Sequence, residues 1–109
     1  MVEILCEGTG ASPGKAQGKV RVINSVKDLE ALEKGDVLVV EDSNPAWTIG
    51  MTKANAIVVE VGGIICHTAI IAREMSIPCV VGIKNATKIL EDGLEILVDG
   101  NNGKIYRTY

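Results

Sequence analysis

The chain has a single histidine, in the stretch GGIICHTAIIAREMSIP, where the pair Gly62 and Gly63 gives way to an amphipathic pattern that begins at His67. A Gly-Gly pair lets the backbone turn sharply and lets another molecule come close. The pattern after it predicts a helix from His67 to about Met75, so the imidazole falls in its first turn. Helix starts present unpaired N–H groups and a partial positive charge, which together stabilise a phosphoryl group. A neutral imidazole beside them offers a free lone pair, the nucleophilic form. The chemistry on offer is phosphoryl transfer through His67. The plainer reading, a half-buried structural histidine, stands beside it on residue type alone.

Other constellations are weaker. Cys66 and His67 suggest a thiol with its base, but sequence neighbours point about 100° apart on a helix and rarely meet. One histidine with scattered cysteines and carboxylates matches no metal-ligand spacing. GTGASPGKA looks like a phosphate loop at a glance, yet Ala16 stands where a Walker motif needs Ser or Thr, and Pro13 where a dinucleotide fingerprint needs Gly. A tight turn is the expectation there.

Elements must position this histidine, and turn signals divide the chain into them. VEILCE (Val2 to Glu7) and GKVRVINS (Gly18 to Ser25) alternate like strands with one solvated face. DVLVV, NAIVVE and PCVVGI are nearly continuously apolar and β-branched, as in strands covered on both faces. In SVKDLEALEKG, Ser25 and Asp28 make a capping box, Val26, Leu29 and Leu32 share a face, and Gly35 ends a short helix. In SNPAWTIGMTKAN, Asn44 caps and Pro45 opens a helix carrying Trp47. Ile70, Ile71 and Met75 form the stripe that docks the His67 helix, with Arg73 and Glu74 on its polar side. LEILVDGNNGKIYRT reads as a hairpin around Asp99 to Gly103. The result is a mixed α/β domain, with buried strands joined through helices and solvated strands towards both ends.

Length and composition set the outer bounds. The 109 residues predict one domain, 1–109, with an aliphatic core, since Phe is absent and aromatic residues make up 3%. A net charge of -3 gives no basic stripe for nucleic acid. No apolar run reaches the length of a membrane span, and the start MVEILCEG has no secretory pattern, so the expectation is a cytoplasmic protein. Cys6, Cys66 and Cys79 are odd in number without C-x-x-C spacing and read as reduced thiols.

GGIICHTAIIAREMSIPCVVG resembles the phosphohistidine, or mobile swivelling, domain of the phosphoenolpyruvate-utilising enzymes: phosphoenolpyruvate synthase, pyruvate phosphate dikinase and enzyme I of the sugar phosphotransferase system. The family's stretch is Gly-Gly-x-x-Ser/Cys-His-x-Ala-Ile-x-Ala-Arg-Glu-x-x-Ile-Pro-x-Val-Val-Gly. GTGASPGKAQGKVRVI, GDVLVVEDSNPAW and DGLEILVDGNNGKIY are similar to its entry, its strand with a Pro-started helix and its closing hairpin, so nearly the whole chain is covered. Cys66, where the dikinases have Ser, brings the resemblance nearest to the synthases.

The resemblance implies a swivelling β/β/α three-layer domain, with a buried central sheet, a smaller outer sheet of hairpins, and helices on one side. It implies that His67 takes a phosphoryl group and carries it between two active sites. An ATP-grasp domain supplies one and a pyruvate/phosphoenolpyruvate-binding TIM barrel the other, in cis or in trans; ATP and Mg²⁺ sit on those partners, and this chain itself binds no cofactor or metal. Gly62, Gly63, Thr68 and Arg73 are the accompanying phosphate-binding candidates. The alternative is a non-catalytic binding or regulatory module that keeps the fold. Departures are specific: Ile64 and Ile65 replace an Arg-Thr pair, Val59 replaces a Thr, and Ser76 replaces a Gly before Ile77 and Pro78.

Overall fold

Nearly continuous apolar strands need cover on both faces, and the computed structural model, which describes residues 3–108, provides it. Strands β3 (Lys15–Ile23), β4 (Val37–Asp42), β5 (Ala56–Val61) and β6 (Cys79–Val81) run parallel side by side, and β2 (Thr9–Ser12) closes the β6 edge antiparallel. The other ladder is antiparallel: β7 (Glu95–Asp99) pairs with β3, β8 (Lys104–Arg107) with β7, and β1 (Glu3–Glu7) with β8.

Alternate residues of the central strands point to opposite faces. Leu38, Val40, Ile57, Val59, Cys79 and Val81 face a layer containing Leu29, Leu32, Trp47, Met51, Ala69 and Ala72. Val37, Val39, Ala56, Val58 and Val80 face Ile96, Val98 and Ile105 of the hairpin. The outcome is the mixed α/β domain expected from the sequence, in the β/β/α layering that the resemblance implies, except that helices do not all lie on one side, since residues 86–89 pack on the hairpin side. Among the described residues no helix is long and apolar enough to cross a membrane.

Strand β3 belongs to both ladders. Lys15 to Lys19 pair with β7, and Val20 to Ile23 pair with β4. The change of partner occurs beside Gly18, where a Cβ would collide with the Gly35 carbonyl oxygen. The hairpin that β3 leads to is fixed by its turn. The buried Asp99 carboxylate accepts from the N–H groups of Asn101 and Asn102, and from Asn102 Nδ2 at 2.9 Å. The Asn102 side chain is the main cause that holds this carboxyl below its ordinary 3.8.

Four details depart from the sequence reading. GTGASPGKA is not merely a turn: Thr9–Ser12 is strand β2, and the turn is confined to the residues after it. Its glycines answer to a distant segment, because the Cβ space of Gly10 is filled by the Gly100 carbonyl. The segment after Ser25 is a 3₁₀ helix, Val26–Ala31, whose Ser25 side chain makes no cap; Asp28 Oδ2 instead accepts the Asn24 N–H at 3.2 Å, and Val26 turns to solvent. Asn44 does cap, accepting from Ala46 N at 2.9 Å, but Pro45–Trp47 is 3₁₀ before α1 (Thr48–Met51) begins. A further helix, α3 (Ala86–Ile89), was not anticipated; it packs on the hairpin side of the sheet, with Ala86 and Leu90 in that core. Val2 of the first predicted strand lies outside the described residues.

The start of α3 is capped from β5. Glu60 Oε1 accepts from Thr87 N at 2.9 Å and from Thr87 Oγ1 at 2.8 Å, and the Thr87 backbone bond is the main cause that lowers the Glu60 carboxyl from its ordinary 4.5.

Two expectations follow from this architecture. Gly18→Ala should lower stability by about 1–3 kcal/mol, read from urea unfolding, because the new methyl meets backbone. Glu60 has a lowered folded-state value, so the stability it supplies is complete above about pH 4.5 and disappears as pH falls through that lowered value. The urea midpoint of Glu60→Gln should therefore sit below wild type at pH 7 and approach it in acid.

Candidate functional site

Strand β5 ends at Val61, and the glycine pair carries the chain into α2 (His67–Glu74). A Cβ on Gly62 would lie 3.4 Å from both Cys66 Sγ and Val59 Cγ1, so the small residue lets the connection fold back on itself; Gly63 has open space around it. The Gly63 carbonyl accepts Cys66 N at 3.0 Å, closing the turn before the helix.

His67 occupies the first helical position, as the sequence predicts, and Cys66 the N-cap. His67 is exposed, and among the described residues no hydrogen bond or ion pair engages its ring. Cys66 turns the other way, its Sγ towards Gly62 and its side chain against the helix-side core. The two neighbours therefore diverge, as adjacent positions at a helix start do. Burial raises the Cys79 thiol to about 12 and the Cys6 thiol to about 11, leaving both protonated at neutral pH.

The helix lies on the sheet through its small residues. Ala69 and Ala72 are fully buried and Ile71 and Met75 pack beside them, whereas Ile70, expected in the docking stripe, is 40% exposed. Two alanines at this spacing let the helix approach β2 and β6 closely, which rotates the larger Ile70 outward. His67, Ile70 and Glu74 share the solvent side.

The remaining candidates do not converge on the imidazole. Thr68 is 1% exposed, and its hydroxyl accepts a hydrogen bond from Ser43 Oγ at 2.9 Å, while its N–H donates to the same Oγ at 3.0 Å. Arg73 stands in the last turn, about 9 Å along the axis from His67 at 1.5 Å per residue. Its Nη1 donates to the Ala11 carbonyl of β2 at 2.6 Å. Helix α2 is thus tied at its start to the end of β4 and at its finish to the edge strand. Ser43 was missed by sequence reading; its signal, a serine just after a buried strand, has many other uses.

Of the departures, Val59 is buried in the helix-side core, while Ile64 and Ile65 are 49% and 81% exposed in the loop before His67. Ser76 follows the C-cap Met75 with φ of 58°, the left-handed region that favours glycine. Ile77 N donates to Ala72 O at 2.9 Å and Ser76 N to Arg73 O at 3.2 Å, the paired bonds of a Schellman ending. Among the described residues no three His, Cys, Asp or Glu side chains gather as metal ligands.

A family model described as "PEP-utilising enzyme, mobile domain" matches residues 32–103. The probable phosphoenolpyruvate synthase of Archaeoglobus fulgidus is 49% identical over 104 residues, which are 95% of this chain and 14% of that protein. The phosphoenolpyruvate synthase of Neisseria meningitidis serogroup B is 46% identical over 106 residues, 94% of this chain and 13% of its own length. This chain thus spans about one seventh of such relatives. A solution structure of Enzyme I superposes with a TM-score of 0.61 at 35% identity, over 71% of this chain and 32% of that one. Aconitase X of Thermococcus kodakaraensis shares the fold alone, with a TM-score of 0.67 at 23% identity over 95% and 98% of the two chains.

The left-handed Ser76 gives this region its own prediction. Ser76→Gly should stabilise the protein by about 0.5–1 kcal/mol, since the glycine carries no Cβ into that conformation. A rise of roughly 4 °C in the thermal midpoint would register it.

Proposed function

The chain belongs to the family of PEP-utilising enzyme mobile domains, and from that premise we propose that it is a phosphoryl carrier in which His67 is the group phosphorylated. The observation that carries this reading is the placement of His67: exposed, with an unengaged ring, at the start of a helix whose other end and buried face are anchored. A ring nitrogen attacks phosphorus, a P–N bond forms, and the donor's oxygen leaves with the electron pair of the broken P–O bond. The phosphoramidate so formed is held yet reactive, which a carrier requires.

The similarity to phosphoenolpyruvate synthases supports a phosphotransferase that interconverts ATP and pyruvate with phosphoenolpyruvate, in the cytoplasm where those metabolites are. This chain is a small part of the length of such proteins, so the nucleotide, Mg²⁺ and pyruvate sites belong in the proposal to an ATP-grasp and a TIM-barrel domain, in cis or in trans. Gly63, with open space around it, leaves room for the phosphoryl group, whereas the Cβ position of Gly62 is bounded by Cys66 and Val59. Thr68 and Arg73 act in this reading by holding the helix, since the Thr68 hydroxyl and the Arg73 guanidinium are engaged elsewhere. A second reading, a binding module without catalysis, draws on Ile64 and Ile65, which put exposed aliphatic surface where the resemblance expects a cation and a hydroxyl.

The deciding experiment is transfer of radiolabel from β-labelled ATP, or from labelled phosphoenolpyruvate, onto the purified chain supplemented with extract of its source cells. The expected product is acid-labile, base-stable and absent from His67→Ala. A chain left unlabelled by both donors, in an extract that labels a known carrier, would favour the binding module.

A further inference from the structure

The peptide that follows His67 is held by one side chain from elsewhere in the fold. Ser43 Oγ accepts the Thr68 N–H at 3.0 Å and donates to Thr68 Oγ1 at 2.9 Å. A hydroxyl can do both at one oxygen. Ser43 has little freedom of its own, because the bonds on either side of it are fixed. Trp47 Nε1 donates to the Asp42 carbonyl, Ala46 N to Asn44 Oδ1 and Trp47 N to the Asn44 carbonyl, each at 2.9 Å. The Trp47 side chain that anchors this bracket is buried in the helix-side core.

The consequence for His67 is geometric. The Thr68 nitrogen is bonded to the His67 carbonyl carbon, and the peptide unit between them is planar. Anchoring that N–H fixes one side of the His67 α-carbon. The other side is set by the Cys66 peptide, whose carbonyl accepts Ile70 N at 3.0 Å. With both flanking peptides fixed, the direction in which the imidazole leaves the backbone is fixed too, although among the described residues no hydrogen bond or ion pair engages the ring.

We propose that Ser43 is a positioning residue for His67, setting the line along which the imidazole meets a phosphoryl donor. This rests on the carrier reading above. Its effect is on orientation at the reacting atom and not on donor binding, so it belongs in the transfer rate. Ser43→Ala removes both hydrogen bonds, Ser43→Thr keeps a hydroxyl able to make both, and Thr68→Val removes the hydroxyl bond while leaving the N–H bond.

The test compares these variants by three readouts. The first is the label-transfer rate as a function of donor concentration, with phosphoenolpyruvate or ATP and the same extract. The second is chemical phosphorylation by phosphoramidate, in which a ring nitrogen forms the new P–N bond while the reagent's own P–N bond breaks and ammonia leaves with the ring's proton. The third is NMR of the single histidine ring, with amide exchange of Thr68. Ser43→Ala should transfer roughly tenfold more slowly at an unchanged half-saturating donor concentration, Ser43→Thr should fall within about twofold of wild type, and Thr68→Val should lie between them. The ring signals should shift and Thr68 amide protection should fall in Ser43→Ala.

A folded Ser43→Ala that loses Thr68 protection yet transfers at the wild-type rate would overturn the proposal. If Ser43→Ala does not fold, an unchanged rate in Thr68→Val overturns it. Should wild type accept label from neither donor, the carrier reading fails on its own, and the phosphoramidate rate then decides: slower phosphorylation of Ser43→Ala upholds positioning, equal rates refute it.

Discussion

The arrangement depends on one strand that pairs twice. By ending its antiparallel pairing with β7 at Lys19 and starting its parallel pairing with β4 at Val20, β3 lets the hairpin fold across a sheet it also belongs to. Without that change of partner, one face of β4, β5 and β6 would lie open, and Val37, Val39, Ala56, Val58 and Val80 would meet water. At roughly 1.5–3 kcal/mol for each large aliphatic side chain buried, that face alone is comparable with the net stability of a small domain. The glycine at the crossing is thus a condition of the core, since it is what allows the two backbones to pass.

A rigid core is what the histidine needs behind it. Helix α2 sits on two alanines, is tied to β4 through Ser43 and Thr68, and is tied to β2 through Arg73 and the Ala11 carbonyl. These contacts come from β2, β6 and the residue that follows β4, so the helix takes its position from several strands at once. Among the described residues no hydrogen bond or ion pair engages the His67 ring. In the proposed carrier role the same reactive atom must be presented to whatever it meets, and a freely presented ring on a fixed stalk does this better than a ring locked into its own domain.

The central strands were legible because they are uniformly β-branched and apolar, and the His67 helix because its glycines, its period and its family-like stretch coincide. What escaped was set by partners distant in sequence. β2 is short and carries a glycine shaped by the Gly100 carbonyl, so it looked like a loop; the Gly14 N–H bond to Asn101 Oδ1 next to it spans 87 residues. Ser43 escaped likewise, its partner being 25 residues away. Ile70 was placed in the docking stripe because hydrophobicity ranks it above alanine, whereas close approach of helix to sheet favoured the smaller side chains. The capping box at Ser25 failed because Asp28 turned to Asn24, and a 3₁₀ turn replaced the α-helix.

Strands β1 and β8 are neighbours, with Glu3 opposite Arg107, so the two ends of the described chain leave from one edge. Strand β1 runs through Gly8 into β2, whose Ala11 carbonyl holds Arg73 of the histidine's helix, so that edge is coupled to the helix along the chain. A stiff body held at one edge behaves as a lever. In the proposed carrier, a rotation at that edge is delivered to the imidazole as an arc, because the body turns as one piece. Stiffness and reach are then the same property, because a helix that flexed against its sheet would lose part of that arc before the ring moved.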